Sequence, residues 1–206
     1  MKSYRMYASS INDRYIDEIV ETLRRGGVVV FPTDSTYAIG CDALSNRAVE
    51  RVCRMRGINP AKQRLSMVCA DISQASDYAR IDNKAFRLLR DNLPGPFTFI
   101  LPASPRLAKA FKGRHEVGVR VPDNEIARRL AAELGNPLLS ASAVWDDADA
   151  DALGHAGEVK LWVEPLGPDA FIDGGDAPGV ETAVVSLLDS DNPETVREGH
   201  LPLQGL

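Results

Sequence analysis

The sequence contains no run of about 18 apolar residues, so nothing in it reads as a membrane span. Its opening stretch, MKSYRMYASSINDRY, lacks the apolar core that a secretory signal requires. Cysteine is scarce: Cys41, Cys53 and Cys69 are odd in number and stand in no metal-binding spacing. That pattern excludes a disulfide framework and reads as reduced core thiols in a cytoplasmic protein. Aromatic residues make up 6% of the chain, too few for a protein that recognises single strands by stacking their bases. His115, His155 and His200 are too dispersed to form a ligand set and read as surface residues. Also absent are GxxxxGKS/T, GxGxxG, HExxH, GxSxG and SxxK, which removes P-loop, dinucleotide, zincin and serine-nucleophile readings.

What is present describes an ordinary globule. The chain has 206 residues, 44% hydrophobic and 26% charged, enough to bury about 70% of its unfolded surface without a metal or disulfide. Length predicts one domain, 1–206. The formal charge of −5 hides a segregation. Residues 1–50 carry 6 basic and 7 acidic side chains, residues 51–130 carry 16 and 7, and residues 131–206 carry 2 and 15. A basic middle of this kind fits a phosphate-rich partner, or equally a set of solvated faces whose charges mix once the chain folds.

Periodicity places the elements. Ile16, Ile19, Val20 and Leu23 follow the helical rule and Gly26-Gly27 stop the helix. Val28 to Phe31 reads as a buried strand, followed by a polar loop Thr33–Tyr37 closing at Gly40. Ser45-Asn46 caps a second helix with Val49, Val52 and Cys53 on one face. Leu65–Cys69 reads as a strand. Two helices are expected between Asp71 and Asn92, the second presenting Phe86, Leu89 and Leu93. Strands follow at Phe97–Leu101 and Val117–Val121. Asn124 caps a helix with Ile126, Leu130 and Leu134, stopped by Gly135. Further strands are expected at Leu138–Ala143, Ala183–Leu188 and Thr195–Arg197. The aspartates Asp146, Asp147, Asp149 and Asp151 lack the glycine and terminal glutamate of a calcium loop and read as a solvated loop. The result is an α/β domain with a twisted mixed sheet flanked by helices.

Candidate site residues lie at strand and helix ends. Thr33, Ser35 and Tyr37 follow the first buried strand, and Arg54 and Arg56 end the second helix, before Gly57 and Pro60. Arg120 precedes Pro122, Ser140 and Ser142 share one strand face, and Arg197 lies near the C-terminus. Guanidinium forks beside rigid hydroxyls suit a phosphate or carboxylate ligand; the same arginines could equally make surface ion pairs.

Pro32-Thr33-Asp34-Ser35-Thr36-Tyr37-Ala38-Ile39-Gly40, Pro94-Gly95-Pro96-Phe97-Thr98, Val119-Arg120-Val121-Pro122 and Arg197-Glu198-Gly199 stand in the order of the motifs of the YrdC/YciO family. The resemblance runs from about residue 14 to 200. It implies a single YrdC-like domain with a large concave basic cavity that binds nucleotide and RNA. In the YrdC branch it implies L-threonylcarbamoyladenylate synthesis from threonine, bicarbonate and ATP, with Mg²⁺ offsetting phosphate charge, for threonylcarbamoyladenosine in tRNA. No tightly bound cofactor and no protein-held metal are expected. Carried over by position, Thr33, Ser35, Tyr37, Arg54, Arg56, Thr98, Arg120, Ser140, Ser142 and Arg197 become ligand-binding residues. Three departures point to the YciO branch: Arg54 replaces a lysine, Val144 an asparagine, and Glu181-Thr182-Ala183-Val184-Val185 the expected Ser-Thr-Val-Val-Asp. The expected function is binding of double-stranded RNA or tRNA and of nucleotide (ATP) in the positively charged cavity, linked to tRNA or rRNA modification. The alternative is a working synthase; a third reading is action on a different nucleotide or adenylate.

Overall fold

The computed structural model describes residues 1–59, 66–106, 115–145 and 149–205. Five helices begin where a short polar side chain accepts a backbone N–H that the helix itself leaves unpaired. Asn12 opens α1 (Asp13–Arg24), Ser45 opens α2 (Asn46–Met55), Asp71 opens α3 (Ile72–Ser76), Asp82 opens α4 (Asn83–Asn92) and Asn124 opens α5 (Glu125–Leu134). Gly135, at φ +76°, ends α5 in the left-handed conformation that favours glycine. The acidic C-terminal third adds α6 (Ala150–Gly154) and α7 (Ala156–Val163).

The strands are β1 (Lys2–Arg5), β2 (Val29–Phe31), β3 (Ala38–Asp42), β4 (Ser66–Val68) and β5 (Phe97–Pro102), then β6 (Glu116–Arg120), β7 (Leu138–Ser142), β8 (Ala170–Asp173), β9 (Ala183–Ser186) and β10 (Glu194–Arg197). They form one sheet of ten strands in the order β1-β8-β2-β3-β7-β4-β6-β5-β9-β10. Pairing is parallel at β1/β8, β8/β2, β4/β6 and β5/β9, and antiparallel at the other junctions, so the sheet is mixed.

Alternation along the strands sends side chains to two faces with different fates. On one face Val30, Ile39, Met67, Phe99, Val119, Leu139, Phe171 and Val185 pack beneath α2, α3, α4 and α7 in a continuous core. On the other, α1 and α5 cover only one end, where Val29, Phe31, Ala38, Val68, Leu138 and Ile172 meet Ile16, Ile19, Leu23, Ile126 and Leu130. The remaining half of that second face, toward β10, carries Ser66, Thr98, Ile100, Gly118, Ser140 and Val184 around an open space instead of a helix.

Several expectations need correction. Gly40 does not close a loop: it lies inside β3, where a Cβ would stand 2.8 Å from the Leu139 carbonyl and from the Phe31 ring. Phe86 is 45% exposed, because the buried stripe of α4 is Ala85, Leu88, Leu89 and Asn92, and Phe86 lies off it. β1, β8, α6 and α7 were not expected at all. Leu65, Pro60, Asp146 and Asp147 lie outside the described residues; Asp149 accepts the Ala152 N–H at 2.8 Å at the start of α6. All three cysteines are buried, and all three histidines are exposed.

Candidate functional site

The uncovered half of the sheet is the floor of a cavity of about 270 Å³. Strand register builds that floor: Ser140 pairs with Ser66, Ser66 with Gly118, and Gly118 with Ile100, so these four lie in one row across β7, β4, β6 and β5. Thr98 pairs with Val184 in the next part of the face. The row is kept low by Gly118. A Cβ there would meet the Ser66 hydroxyl at 2.7 Å and the Thr98 methyl at 3.2 Å.

Three guanidiniums reach this floor, from Arg56, Arg120 and Arg197. Arg120, at the end of β6, has a side chain 7% exposed. One terminal nitrogen donates to Asp34 Oδ1 and to Ser35 Oγ, both at 3.0 Å. Asp34 is fixed in turn, its other oxygen accepting the Asp123 N–H at 2.8 Å. Ser35 is held by Thr33, whose hydroxyl lies 3.0 Å from it and donates to the Thr36 carbonyl at 2.6 Å. Burial pushes the guanidinium of Arg120 below its ordinary pKa; Asp34 opposes that shift and the nearby charge of Arg197 adds to it. Arginine stays charged even so. Its Nε is buried and finds no hydrogen-bond partner among the described residues.

Arg197 reaches the cavity through an irregularity. On β10, Thr195 pairs with Val185 but Arg197 pairs with Val184, so Val196 is an extra residue. Regular pairing would set Arg197 opposite Ala183, on the face packed into the core; the bulge returns it to the face of Val184, which lines the cavity. There its Nε and a terminal nitrogen donate to the Thr182 carbonyl at 3.1 and 2.9 Å, and the same nitrogen donates to the Thr182 hydroxyl at 3.0 Å. Glu181 stands 3.4 Å from the remaining nitrogen. Gly199 lets the chain pass, since a Cβ there would lie 2.2 Å from the Ala183 nitrogen.

The remaining candidates divide. Arg56, Thr98, Ser140 and Ser142 line the cavity with Arg120 and Arg197, whereas Thr33 and Ser35 form the support under Arg120. Arg54, two residues before Arg56, is exposed in the last turn of α2 and does not line it. Tyr37 is fully buried, stacked on Phe171 at 5.5 Å, its hydroxyl donating to the Gly175 carbonyl at 2.6 Å. Burial raises the pKa of its phenol well above the usual range, and the contacts are those of a core residue tying β3 to the segment after β8. Ser66, Gly118, Ile58, Ile100, Thr182 and Val184 also line the cavity, and Asp34 locks its buried arginine. A two-residue period run outward from Thr98, Arg120 and Ser140 finds Ile100, Gly118 and Ser142; Asp34 stands inside the Pro32–Gly40 motif, and nothing local marks Ser66.

The chain matches the Sua5/YciO/YrdC family model, described as "Telomere recombination", over residues 21–199. The chain belongs to the Sua5/YciO/YrdC family. YciO of Escherichia coli K12 is 37% identical over 95% of this chain and 94% of its own. The crystal structure of E. coli YciO superposes with a TM-score of 0.88, covering 99% of this chain and 98% of that one. The P. abyssi Sua5 structure complexed with L-threonine gives a TM-score of 0.84 at 30% identity, over 98% of this chain and 58% of that one. The threonylcarbamoyl-AMP synthase of Vibrio vulnificus is 33% identical over 62% of this chain and 70% of its own. The mixed α/β sheet and the YciO-like identity expected from the motifs are therefore shown.

Chemically, no carboxylate, imidazole or thiol lines the cavity among the described residues. The hydroxyls there have no base beside them, so the set contains no activated nucleophile of the usual kind. Nor does it form a magnesium site, because no carboxylate lines it and both Asp34 oxygens are committed to Arg120 and Asp123. A magnesium ion would enter with a nucleotide, as part of the substrate. What the set can do is hold oxyanions with fixed cationic donors and orient a small polar ligand with hydroxyls.

Proposed function

We propose that this member of the Sua5/YciO/YrdC family binds an ATP-class nucleotide in the cavity, its phosphates held by Arg56, Arg120 and Arg197. The carrying observation is Arg120: a buried arginine with an unpaired Nε, its charge opposed by Arg197, beside a floor of hydroxyls that brings no negative charge. A buried donor left unpaired is costly, and an oxyanion supplies both the acceptor and the charge. Isothermal titration with ATP and with inorganic pyrophosphate tests this. Arg197→Gln is expected to weaken both about tenfold, the worth of one charge-assisted hydrogen bond; unchanged affinity would overturn the assignment.

Threonylcarbamoyladenylate synthesis is the second reading, supported by the synthase relatives and by the threonine complex of P. abyssi Sua5. With no base in the cavity, such an enzyme would work by positioning and electrostatic stabilisation. Threonine-dependent pyrophosphate release from ATP and bicarbonate, at a rate matching an authentic synthase, would establish it over simple binding.

Double-stranded RNA or tRNA belongs to the first reading as a cytoplasmic partner outside the cavity. The basic middle supports it, although Arg51, Lys84 and Arg129 from that stretch pair with Asp169, Asp191 and Asp13 from the acidic flanks. A steep fall of RNA affinity with salt is expected if the remaining cations meet phosphates, and a flat dependence would sink that partner.

A further inference from the structure

We propose that Asn92 is a positioning residue of the cavity: it anchors the C-terminal strap that follows Arg197, and through that strap keeps the Arg197 guanidinium in place for an anion. The proposal rests on the reading of the cavity as an oxyanion site.

Arg197 is the final residue of β10, and β10 is the edge of the sheet. It pairs along one side, with β9, and all four of its residues are exposed. A short exposed edge strand opens locally at little cost in free energy. What holds the chain beyond Arg197 therefore bears on how firmly its backbone is placed. That chain, 198–205, contains no helix or strand.

The strap is held at its two ends. At the near end Gly199 passes so close that a Cβ would lie 2.2 Å from the Ala183 nitrogen, and the His200 ring nitrogen Nδ1 stands 3.4 Å from the Glu181 carbonyl. At the far end Leu203 packs against the main core and Gln204 meets Asn92. The middle bridges open space. His200 and Leu201 border a hollow of about 450 Å³ that Thr33 and Asp34 also line. Leu201 and Pro202 border another of about 260 Å³ beside Pro96 and Phe97. Leu201 itself is 45% exposed.

Asn92 has the chemistry of an anchor. It is the last residue of α4 and is 6% exposed. Its Nδ2 donates to the Leu88 carbonyl at 2.8 Å and to the Gln204 carbonyl at 2.9 Å. Its Oδ1 accepts the Gln204 N–H at 2.8 Å. One side-chain amide thus takes both backbone groups of a single residue, as a neighbouring strand would. Burying an amide is costly unless it is bonded, and asparagine is a weak helix former. Packing of α4 alone would favour an apolar residue here; the amide is explained by the strap.

The test removes the anchor from either side. Asn92→Ala deletes it from α4, and Gln204→Pro deletes the N–H from the strap while leaving the core intact. The readouts are pyrophosphate affinity of the full chain by isothermal titration, well below each variant's melting temperature, and amide hydrogen exchange. If release leaves Arg197 in place about one fifth of the time, apparent affinity falls about fivefold in each variant. Exchange should quicken from Arg197 through 205, while the strands beneath α1 and α5 keep native protection. In an Arg197→Gln background neither change should weaken binding further, because both act through Arg197. A merely structural asparagine would lower the melting temperature and leave affinity alone. Native affinity in Gln204→Pro, or losses that add to that of Arg197→Gln, would overturn the positioning role. Arg197→Gln separates the two claims. If it weakens binding while Gln204→Pro does not, only the role of Asn92 fails; if the native chain does not bind pyrophosphate, the cavity assignment fails and the proposal with it.

Discussion

The two halves of one sheet face begin from the same strands and end with opposite properties. At the β1 end, Val29, Phe31, Ala38 and Leu138 lie under α1 and α5 and form a dry core. Two to four residues farther along the same strands, or one strand over, the positions on that face become Ser66, Thr98, Gly118, Ser140 and Ser142, with no helix above them. The first half is apolar because a helix excludes water from it. The second half can be polar because the cavity leaves its hydroxyls and guanidiniums accessible to water or to a ligand. The boundary falls within single strands: Leu138 packs in the core, while Ser140 and Ser142 line the cavity. What a strand position does here is thus set by what covers it as much as by the strand that carries it.

Five variants probe this contrast. Arg120→Ala should have the largest effect, destabilising the fold by about 3 kcal/mol in urea, because it strands the Asp34 carboxylate that is now paired in a buried setting. Replacing both partners, Arg120→Met with Asp34→Leu, should recover most of that loss while pyrophosphate affinity stays low. Recovery of binding in the double variant would mean the arginine holds the fold and not the ligand. Leu130→Ala, under the covered half, should cost about 3 kcal/mol by the same measurement and leave pyrophosphate affinity unaltered. A parallel loss of affinity would show that the two halves are not independent.

Deleting Val196 removes the bulge but leaves Arg197 opposite Val184, on the cavity face. Pyrophosphate affinity should then fall by no more than about threefold; a tenfold loss, matching Arg197→Gln, would show that the bulge itself aims the guanidinium. Glu181→Gln should have the smallest effect. Its carboxylate stands beside Arg197 on an exposed rim, so removing its charge should tighten pyrophosphate binding about twofold at low salt and by nothing measurable at high salt. No tightening at low salt would show that Glu181 does not compete with the ligand for Arg197.

Much of the fold was legible in the chain. The stripes Ile16-Ile19-Val20-Leu23, Val49-Val52-Cys53 and Ile126-Leu130-Leu134 are buried as their spacing required, and Asn12, Ser45 and Asn124 cap the helices they precede. Capping and amphipathic spacing are local, so a single stretch of sequence contains them whole. β1, β8 and α7 were not legible. Lys2–Arg5 and Ala170–Asp173 are strands because each finds the other across the length of the chain, and Ala170–Asp173 also finds β2. α7 presents little amphipathic pattern and is helical in a position where Val159 and Val163 meet the main core.

For the site, the sequence by itself determined the residue types: arginines, hydroxyls and glycines in motifs whose order also identifies the family. It likewise determined the charge segregation into a basic middle and acidic flanks. Tertiary structure decided which of these residues meet. It brought Arg56, Thr98, Arg120, Ser140, Ser142 and Arg197 to one cavity, left Arg54 outside and put Tyr37 in the core. It also paired middle cations with acids from both flanks. The physical reason is that a side chain's direction follows from strand register, from a bulge such as that at Val196, and from which helix covers the face. Register and cover are contacts between residues far apart in the chain, and no local pattern contains them.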